Sequence, residues 1–302
     1  MTRRVRRRKL LWESENAMIA KNMGKLLREN IAKGKPLMIA GAHSGVSAKL
    51  VERNGFDGIW ASSFEISTAY CVPDASILSM SEFLEASRTM AEVTNIPIIA
   101  DCDSGYGDAA NVFHMTRKFE AAGVAAVCIE DKEFPKTNSF IDGKQNLASI
   151  ASFCEKIQSA VKGRESELMI FARIEALVSG HGLEEALKRG HAYAEAGADV
   201  VLIHSKSKSP DEVLEFARRW ENKTPLAIIP TSFYGITPQQ IEEAGVAVVI
   251  YANHAMRSAV RAMDQTLAAI AAAHSSQPVE AHIASMKDLF ELQGMGTLTT
   301  MR

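Results

Sequence analysis

Residues 122–131 read Ala122-Gly123-Val124-Ala125-Ala126-Val127-Cys128-Ile129-Glu130-Asp131. An Ala-Gly pair closes an amphipathic stretch, an apolar run starts at once, and the run ends on two carboxylates. Glycine after a helix permits the left-handed cap. A run that is apolar almost throughout, with no alternation, suits a parallel strand covered on both faces. The tag recurs as Asn54-Gly55-Phe56-Asp57, Ala196-Gly197-Ala198-Asp199 and Ala244-Gly245-Val246. Outward from it, eight runs stand out as strands: Leu37–His43, Asp57–Ser63, Ile96–Asp103, Val124–Asp131, Leu168–Glu175, Asp199–Ser205, Pro225–Thr231 and Val246–Asn253. Helical patterns lie between them. Ser79–Val93 opens with Ser79-x-x-Glu82, a capping-box pattern. Gly182–Ala196 places Leu183, Ala186, Leu187 and Ala192 on one side. Asp211–Trp220 begins after Pro210, where a helix tolerates proline. Repeated βα units with short connections predict an α/β fold, a (β/α)8 TIM-type barrel. A doubly wound open sheet is the alternative. Ala17–Ala32 reads as an extra helix before the barrel, and Ala281–Gln293 as another after it. The expected division is a basic arm over residues 1–16 and one barrel domain over 17–302.

Composition sets the bounds. Of 302 residues, 47% are hydrophobic and 23% charged, enough apolar material for a large core and too much for a disordered chain. No apolar run reaches the roughly 18 residues of a membrane span. The formal net charge is −2, yet Arg3, Arg4, Arg6, Arg7, Arg8 and Lys9 all lie in the first nine residues. The body is therefore acidic, which argues against nucleic acid as a partner. Thr2-Arg3-Arg4 is not followed by the apolar stretch of an export signal; Trp12-Glu13-Ser14-Glu15-Asn16 comes instead. Cys71, Cys102, Cys128 and Cys154 form no CxxC and no His/Cys ligand spacing, so they read as thiols of a reducing compartment. A cytoplasmic location is expected.

Polar residues gather at one end of the strands, where a barrel keeps its chemistry. The ends are Trp60-Ala61-Ser62-Ser63, Asp101-Cys102-Asp103, Glu130-Asp131-Lys132, Arg173-Ile174-Glu175, His204-Ser205-Lys206, Pro230-Thr231 and Asn253-His254. Asp101 and Asp103 are two apart and should share a face. Glu130 ends the next strand. Carboxylates held close repel unless a cation joins them, which suits a hard divalent ion such as Mg²⁺ or Mn²⁺. Salt bridges to Arg173 or Lys132 are the alternative. Arg173, at the end of an apolar strand, needs an anion: Glu175 or Glu130, or a carboxylate or phosphate ligand. His204 alone is as readily a satisfied core residue as a ligand. Lys136 and Asn138 lie in Phe134–Phe140, a connector long enough to act as a lid.

Several segments carry a resemblance: Gly41-Ala42-His43-Ser44-Gly45-Val46-Ser47-Ala48, Gly58-Ile59-Trp60-Ala61-Ser62-Ser63-Phe64-Glu65, Asp101-Cys102-Asp103-Ser104-Gly105-Tyr106-Gly107, Glu130-Asp131-Lys132-Glu133-Phe134-Pro135-Lys136-Thr137-Asn138-Ser139 and Ile203-His204-Ser205-Lys206. They resemble phosphoenolpyruvate mutases, in the isocitrate lyase/phosphoenolpyruvate mutase superfamily, over roughly residues 25–295. The resemblance implies an isomerase that interconverts phosphoenolpyruvate and 3-phosphonopyruvate in phosphonate biosynthesis. It implies Mg²⁺ with Asp101 close to the metal and Asp103 and Glu130 holding it largely through water. Trp60, Ser62, Ser63, Phe64 and Ser205 would border the substrate, with Ser62–Phe64 in a binding loop. Arg173, His204 and Asn138 would surround the phosphoryl group, and Lys136 and Asn138 would belong to a gating loop. Asp74, in Val72-Pro73-Asp74, matches an aspartate read as a nucleophile or as an orienting group. The resemblance also implies a homodimer or homotetramer with the last helix, here Ala281–Gln293, swapped between subunits. Some members carry glycine where Ser63 stands.

Phosphonopyruvate hydrolase, which yields pyruvate and phosphate, resembles the chain closely too, notably in Phe64-Glu65-Ile66-Ser67 and Val72-Pro73-Asp74-Ala75. Its pattern has threonine where this chain has Asn138, which favours the mutase. Carbon–carbon lyases of 2-methylmalate or isocitrate type usually carry Lys-x-Cys-Gly-His after strand 4, whereas Glu133–Ser139 has neither cysteine nor histidine. A barrel without activity is the remaining alternative, and the intact constellation argues against it.

Overall fold

The computed structural model describes residues 23–296 apart from 142, 144, 222 and 223. The basic arm and the first part of the helix expected from Ala17 lie outside the described residues. The chain divides after Asn253 into two compact units.

The first unit opens with α1, helical over residues 23–32. Then come β1 (Leu37–Ala42), α2 (Gly45–Arg53), β2 (Gly58–Ala61), α3 (Ser63–Ala69), α4 (Met80–Val93), β3 (Ile98–Asp101), α5 (Ala109–Ala121), β4 (Ala126–Glu130) and α6 (Ile150–Gly163). After these follow β5 (Met169–Ile174), α7 (Gly182–Glu195), β6 (Val200–Ile203), α8 (Asp211–Arg219), β7 (Leu226–Ile228), α9 (Pro238–Glu243) and β8 (Val246–Tyr251). Each strand pairs in parallel with the next, and β1 closes on β8. This is the (β/α)8 barrel, and the open sheet is excluded. Gly123 and Gly197 take φ of +87° and +110° directly after α5 and α7. The Ala-Gly tags are thus helix stops in the left-handed region.

Strand alternation sorts the core. Ile59, Ala100, Val127, Ile129, Ile170, Ala172, Val201 and Ile203 pack outward with the helices. Ile39, Trp60, Ile99, Cys128, Phe171, Leu202 and Val248 fill the barrel interior. The inward parity then continues past this apolar fill onto Ser62, Asp101, Glu130, Arg173 and His204, so the polar layer lies at the C-terminal mouth.

Helix α1 belongs to the interior cluster through Leu27 and Ile31. Arg28 Nη1 lies 2.9 Å from Asp199 Oδ1. The close approach rests on Gly24, where an added Cβ would lie 2.1 Å from the main-chain oxygen of Glu167. Gly24→Ala is expected to destabilise the protein by roughly 1–3 kcal/mol, the usual cost of overpacking. Urea unfolding checks this, and an unchanged midpoint would contradict the docking.

The observed strands are shorter than the apolar runs: Ile96–Asp103 is a strand only over Ile98–Asp101, and Pro225–Thr231 only over Leu226–Ile228. The Ser62–Phe64 loop is a helix start, because Ser62 caps α3 and its Oγ accepts the Glu65 N–H at 3.2 Å.

The second unit holds α10 (His254–Ala273), a 3₁₀ turn (Glu280–His282) and α11 (Met286–Leu292). The helix expected over Ala281–Gln293 is shorter because Ser285 begins it, accepting the Asp288 N–H at 3.2 Å. On α10, Val260, Met263 and Leu267 are exposed. No helix among the described residues is long and apolar enough to cross a membrane.

Candidate active site

The mouth of the barrel holds two linked charge clusters. The first is acidic. Asp101 ends β3, and its Oδ2 accepts the Ser63 hydroxyl at 2.8 Å. Asp103 lies beyond the strand end with φ +49°, so its position comes from that left-handed turn and not from strand alternation. Lys136 Nζ sits 3.0 Å from Asp103 Oδ1 and 2.7 Å from Asp74 Oδ1. Asn138 Nδ2 donates to Asp74 Oδ2 at 2.6 Å. The lid segment therefore lies down on the mouth, with Lys136 buried. Its main-chain N–H also donates to Ser76 Oγ at 3.1 Å.

The second cluster centres on Glu175, which from sequence is expected only as a partner for Arg173. Glu130 and Arg173 are register partners on β4 and β5. Arg173 Nε lies 2.6 Å from Glu175 Oε1 and 3.4 Å from Glu130 Oε2, so both carboxylates left open as its partners are used. His204 Nδ1 is 2.7 Å from Glu175 Oε1 and 2.8 Å from Arg173 Nη2. Lys132 Nζ donates to Ser139 Oγ at 2.7 Å, and Ser139 donates to Glu175 Oε2 at 2.7 Å. The Phe140 ring meets the His204 ring edge-on at 6.2 Å.

Burial and charge set the protonation. Burial pushes the Asp101 carboxyl up and the Asp103 carboxyl up to about 7, with Lys136 opposing both shifts. Burial would pull the Lys136 ammonium down. Asp103, Asp74, Glu130 and Asp101 outweigh it and hold the ammonium well above its ordinary value. Glu175 is likewise held well below the usual carboxylate range, because Arg173, His204 and Lys132 outweigh its burial. His204 is pushed down by burial and by Arg173, against Glu175. A neutral imidazole follows.

The structure does not bring every expected residue to this layer. Trp60 is in the apolar interior, one step below Ser62 on the same face. Phe64 is partly exposed on the first turn of α3. Ser205 has the outward parity; its hydroxyl donates to Glu212 and accepts the Ser207 N–H at 2.9 Å within the β6–α8 turn. Conversely, Glu175, Lys132 and Ser139 belong to the site, and the parity shared by Arg173 with Glu175, and by Glu130 with Lys132, was the available signal. His43 and Glu65 form a further pair at the mouth, at 2.9 Å.

Among the described residues no three His, Cys, Asp or Glu side chains converge closely enough to hold a metal ion directly. The donor chemistry nevertheless fits a hard cation reached partly through water. Asp103 Oδ2 and Glu130 Oε1 are buried with no hydrogen-bond partner. The five carboxylates Asp74, Asp101, Asp103, Glu130 and Glu175 face the three cations Lys132, Lys136 and Arg173. With all five ionised the excess is two negative charges, which one divalent ion would balance; burial otherwise raises Asp101 and Asp103 toward the protonated form.

Comparison with known proteins gives the family. Residues 27–271 match the family model described as phosphoenolpyruvate phosphomutase. A phosphonopyruvate hydrolase from Variovorax sp. (strain Pal2) is 45% identical over 271 residues, covering 89% of this chain and 93% of the relative. The crystal structure of phosphoenolpyruvate phosphomutase from Streptomyces platensis subsp. rosaceus superposes with a TM-score of 0.90 at 47% identity, covering 92% of this chain and 97% of that one. A phosphonopyruvate hydrolase solved in complex with oxalate and Mg²⁺ gives a TM-score of 0.87 at 42% identity, with 92% and 97% covered. With the barrel closed and the charged residues of the resemblance gathered at its mouth, the chain belongs to the phosphoenolpyruvate phosphomutase family of enzymes, within the isocitrate lyase/phosphoenolpyruvate mutase superfamily.

Proposed function

We propose that the chain interconverts phosphoenolpyruvate and 3-phosphonopyruvate. The observation that carries this reading is Asn138. Its Nδ2 donates to Asp74 and its Oδ1 accepts the Phe140 N–H at 2.9 Å, so the amide is held from both sides while the lid covers the carboxylates. In the forward direction the P–O bond of phosphoenolpyruvate breaks and its electron pair stays on the enolate. C3 of that enolate then attacks phosphorus and forms the C–P bond. No water and no net proton is consumed, so the site must stay dry between the two steps.

Asp101, with Asp103 and Glu130 through water, is proposed to hold Mg²⁺ or Mn²⁺. Such an ion supplies Lewis-acid stabilisation for the negative charge of an enolate oxygen. The Ser62–Phe64 turn is proposed to hold the substrate's pyruvate portion. Arg173, neutral His204 and Asn138 are proposed to surround the phosphoryl group, whose loose transition state needs positioning more than covalent help. Asp74 serves as an orienting group, since both its oxygens are engaged by the lid.

The rival reading is phosphonopyruvate hydrolase, favoured by the 45% identity to one. Phosphorus NMR of the protein with phosphonopyruvate and Mg²⁺ separates the two. A phosphoenolpyruvate signal is expected; phosphate and pyruvate without it would overturn the mutase. Asn138→Thr is expected to move product from phosphoenolpyruvate toward phosphate, and an unchanged ratio would count against the role given to Asn138. The exposed apolar residues of α10 are proposed as a subunit interface of a homo-oligomer, which light scattering would test.

A further inference from the structure

The lid rises from two stems that are stitched together through the main chain. The Ala148 N–H donates to the Asp131 carbonyl at 2.9 Å, and the Glu133 N–H to the Asn146 carbonyl at 3.1 Å. Lys132 and Leu147 form an antiparallel bridge between them. Below this seam lies a buried group that the proposed chemistry does not use. The Asp131 carboxylate is fully buried. Its Oδ2 accepts the Tyr193 hydroxyl at 2.7 Å and lies 2.9 Å from Arg189 Nη1. The same Nη1 is 3.0 Å from the Ala148 carbonyl, and Arg189 Nε donates to Glu185 at 2.8 Å. One guanidinium on α7 therefore holds both stems, one by side chain and one by main chain.

Asp131 also reaches the phosphoryl-facing side. Its Oδ1 accepts the Glu175 N–H at 2.8 Å, and its own N–H donates to the Arg173 carbonyl at 3.1 Å. Asp131 thus ties the main chain at Arg173 and Glu175 to the residue that Arg189 clamps. Neither Arg189 nor Tyr193 contacts the two charge clusters directly.

We infer that Arg189, with Tyr193, is a positioning residue that pins the hinge of the lid through Asp131 and so keeps water from the phosphoryl group. If the stems part, water reaches phosphorus. It attacks there, the C3–P bond of phosphonopyruvate breaks with its electron pair going to the enolate, and protonation at C3 gives pyruvate beside phosphate.

Arg189→Lys keeps the charge but loses the planar group whose Nε is held by Glu185 and whose Nη1 is thereby aimed at both stems. Tyr193→Phe removes one hydroxyl and keeps the ring that packs on Phe153 at 4.6 Å. Two readouts are taken on the full-length protein. Amide hydrogen exchange at Glu133 and Ala148 is expected to quicken about tenfold in Arg189→Lys, as for loss of one well-made hydrogen bond. The share of phosphonopyruvate turned into pyruvate and phosphate is expected to rise by a similar factor in Arg189→Lys and by less in Tyr193→Phe. A loss of stability alone would lower both product rates together and leave their ratio where it was. Unchanged exchange at the stems in both variants would overturn the inference, and so would faster exchange with an unchanged product ratio. The product ratio rests on the mutase reading. If the wild-type protein makes only pyruvate and phosphate, that reading fails, while stem exchange still decides the hinge role. Should Arg189→Lys not fold, Tyr193→Phe carries both measurements.

Discussion

Arg173→Ala is expected to lower kcat/KM for phosphonopyruvate by about 10³-fold, the upper range for loss of one preorganised charge-stabilising group. Arg173 is the one guanidinium in the polar layer of the described mouth, and its pairs with Glu175 and Glu130 hold it in one orientation. A bound phosphoryl group would meet a fork already aimed, with little reorganisation at the moment of transfer. The same substitution leaves Glu175 facing fewer cations in a buried place, so a stability loss of roughly 3–5 kcal/mol should accompany it. Arg173→Lys separates the two effects: it should recover much of the stability and little of the rate, because lysine lacks the planar fork. Steady-state kinetics beside urea unfolding would show this. An alanine variant within tenfold of the wild type would remove Arg173 from the proposed chemistry.

The second large effect is expected at Asp103. Asp103→Asn should weaken Mg²⁺ binding about 100-fold, at the upper end for losing a group that orients a metal site through water. It removes a carboxylate oxygen that has no hydrogen-bond partner in the structure. Asp74→Asn is the control. It loosens the lid, since Lys136 and Asn138 both dock on Asp74, but should leave Mg²⁺ affinity close to that of the wild type. Calorimetric titration with Mg²⁺ distinguishes them. Equal losses in both variants would mean that net charge or the lid, and not the unpartnered Asp103 oxygen, governs the ion.

The barrel was legible because the strands announce themselves locally: apolar runs with polar ends, and a glycine stop before β2, β4, β6 and β8. Which residues meet was legible only in part. Inward parity alone places Asp101, Glu130, Arg173 and His204 in one layer. It also marks Glu175, but the sequence does not show that four side chains from three different segments would converge on it. Asp103 reached the site for a reason other than the one read, since a turn and not a strand carries it there. Ser205 shows the converse: a strand-end serine of the wrong parity spends its hydroxyl on the next turn. The short helix α3 was missed because seven residues are too few to display a helical period, and only the cap at Ser62 betrays it.

The stitching of the stems by main-chain groups has a practical meaning. Hydrogen bonds between Asp131 and Ala148, and between Glu133 and Asn146, do not depend on which side chains the segment carries. The ends of that segment are fixed in space whatever its composition, and loop closure costs little more for a somewhat longer insert. Residues 133–146 therefore behave as an exchangeable cassette. A relative's segment of similar length should transplant into this scaffold without disturbing the barrel, so the two chemistries of the family could be compared on one and the same set of strand-end residues, Asp101, Glu130, Arg173 and His204.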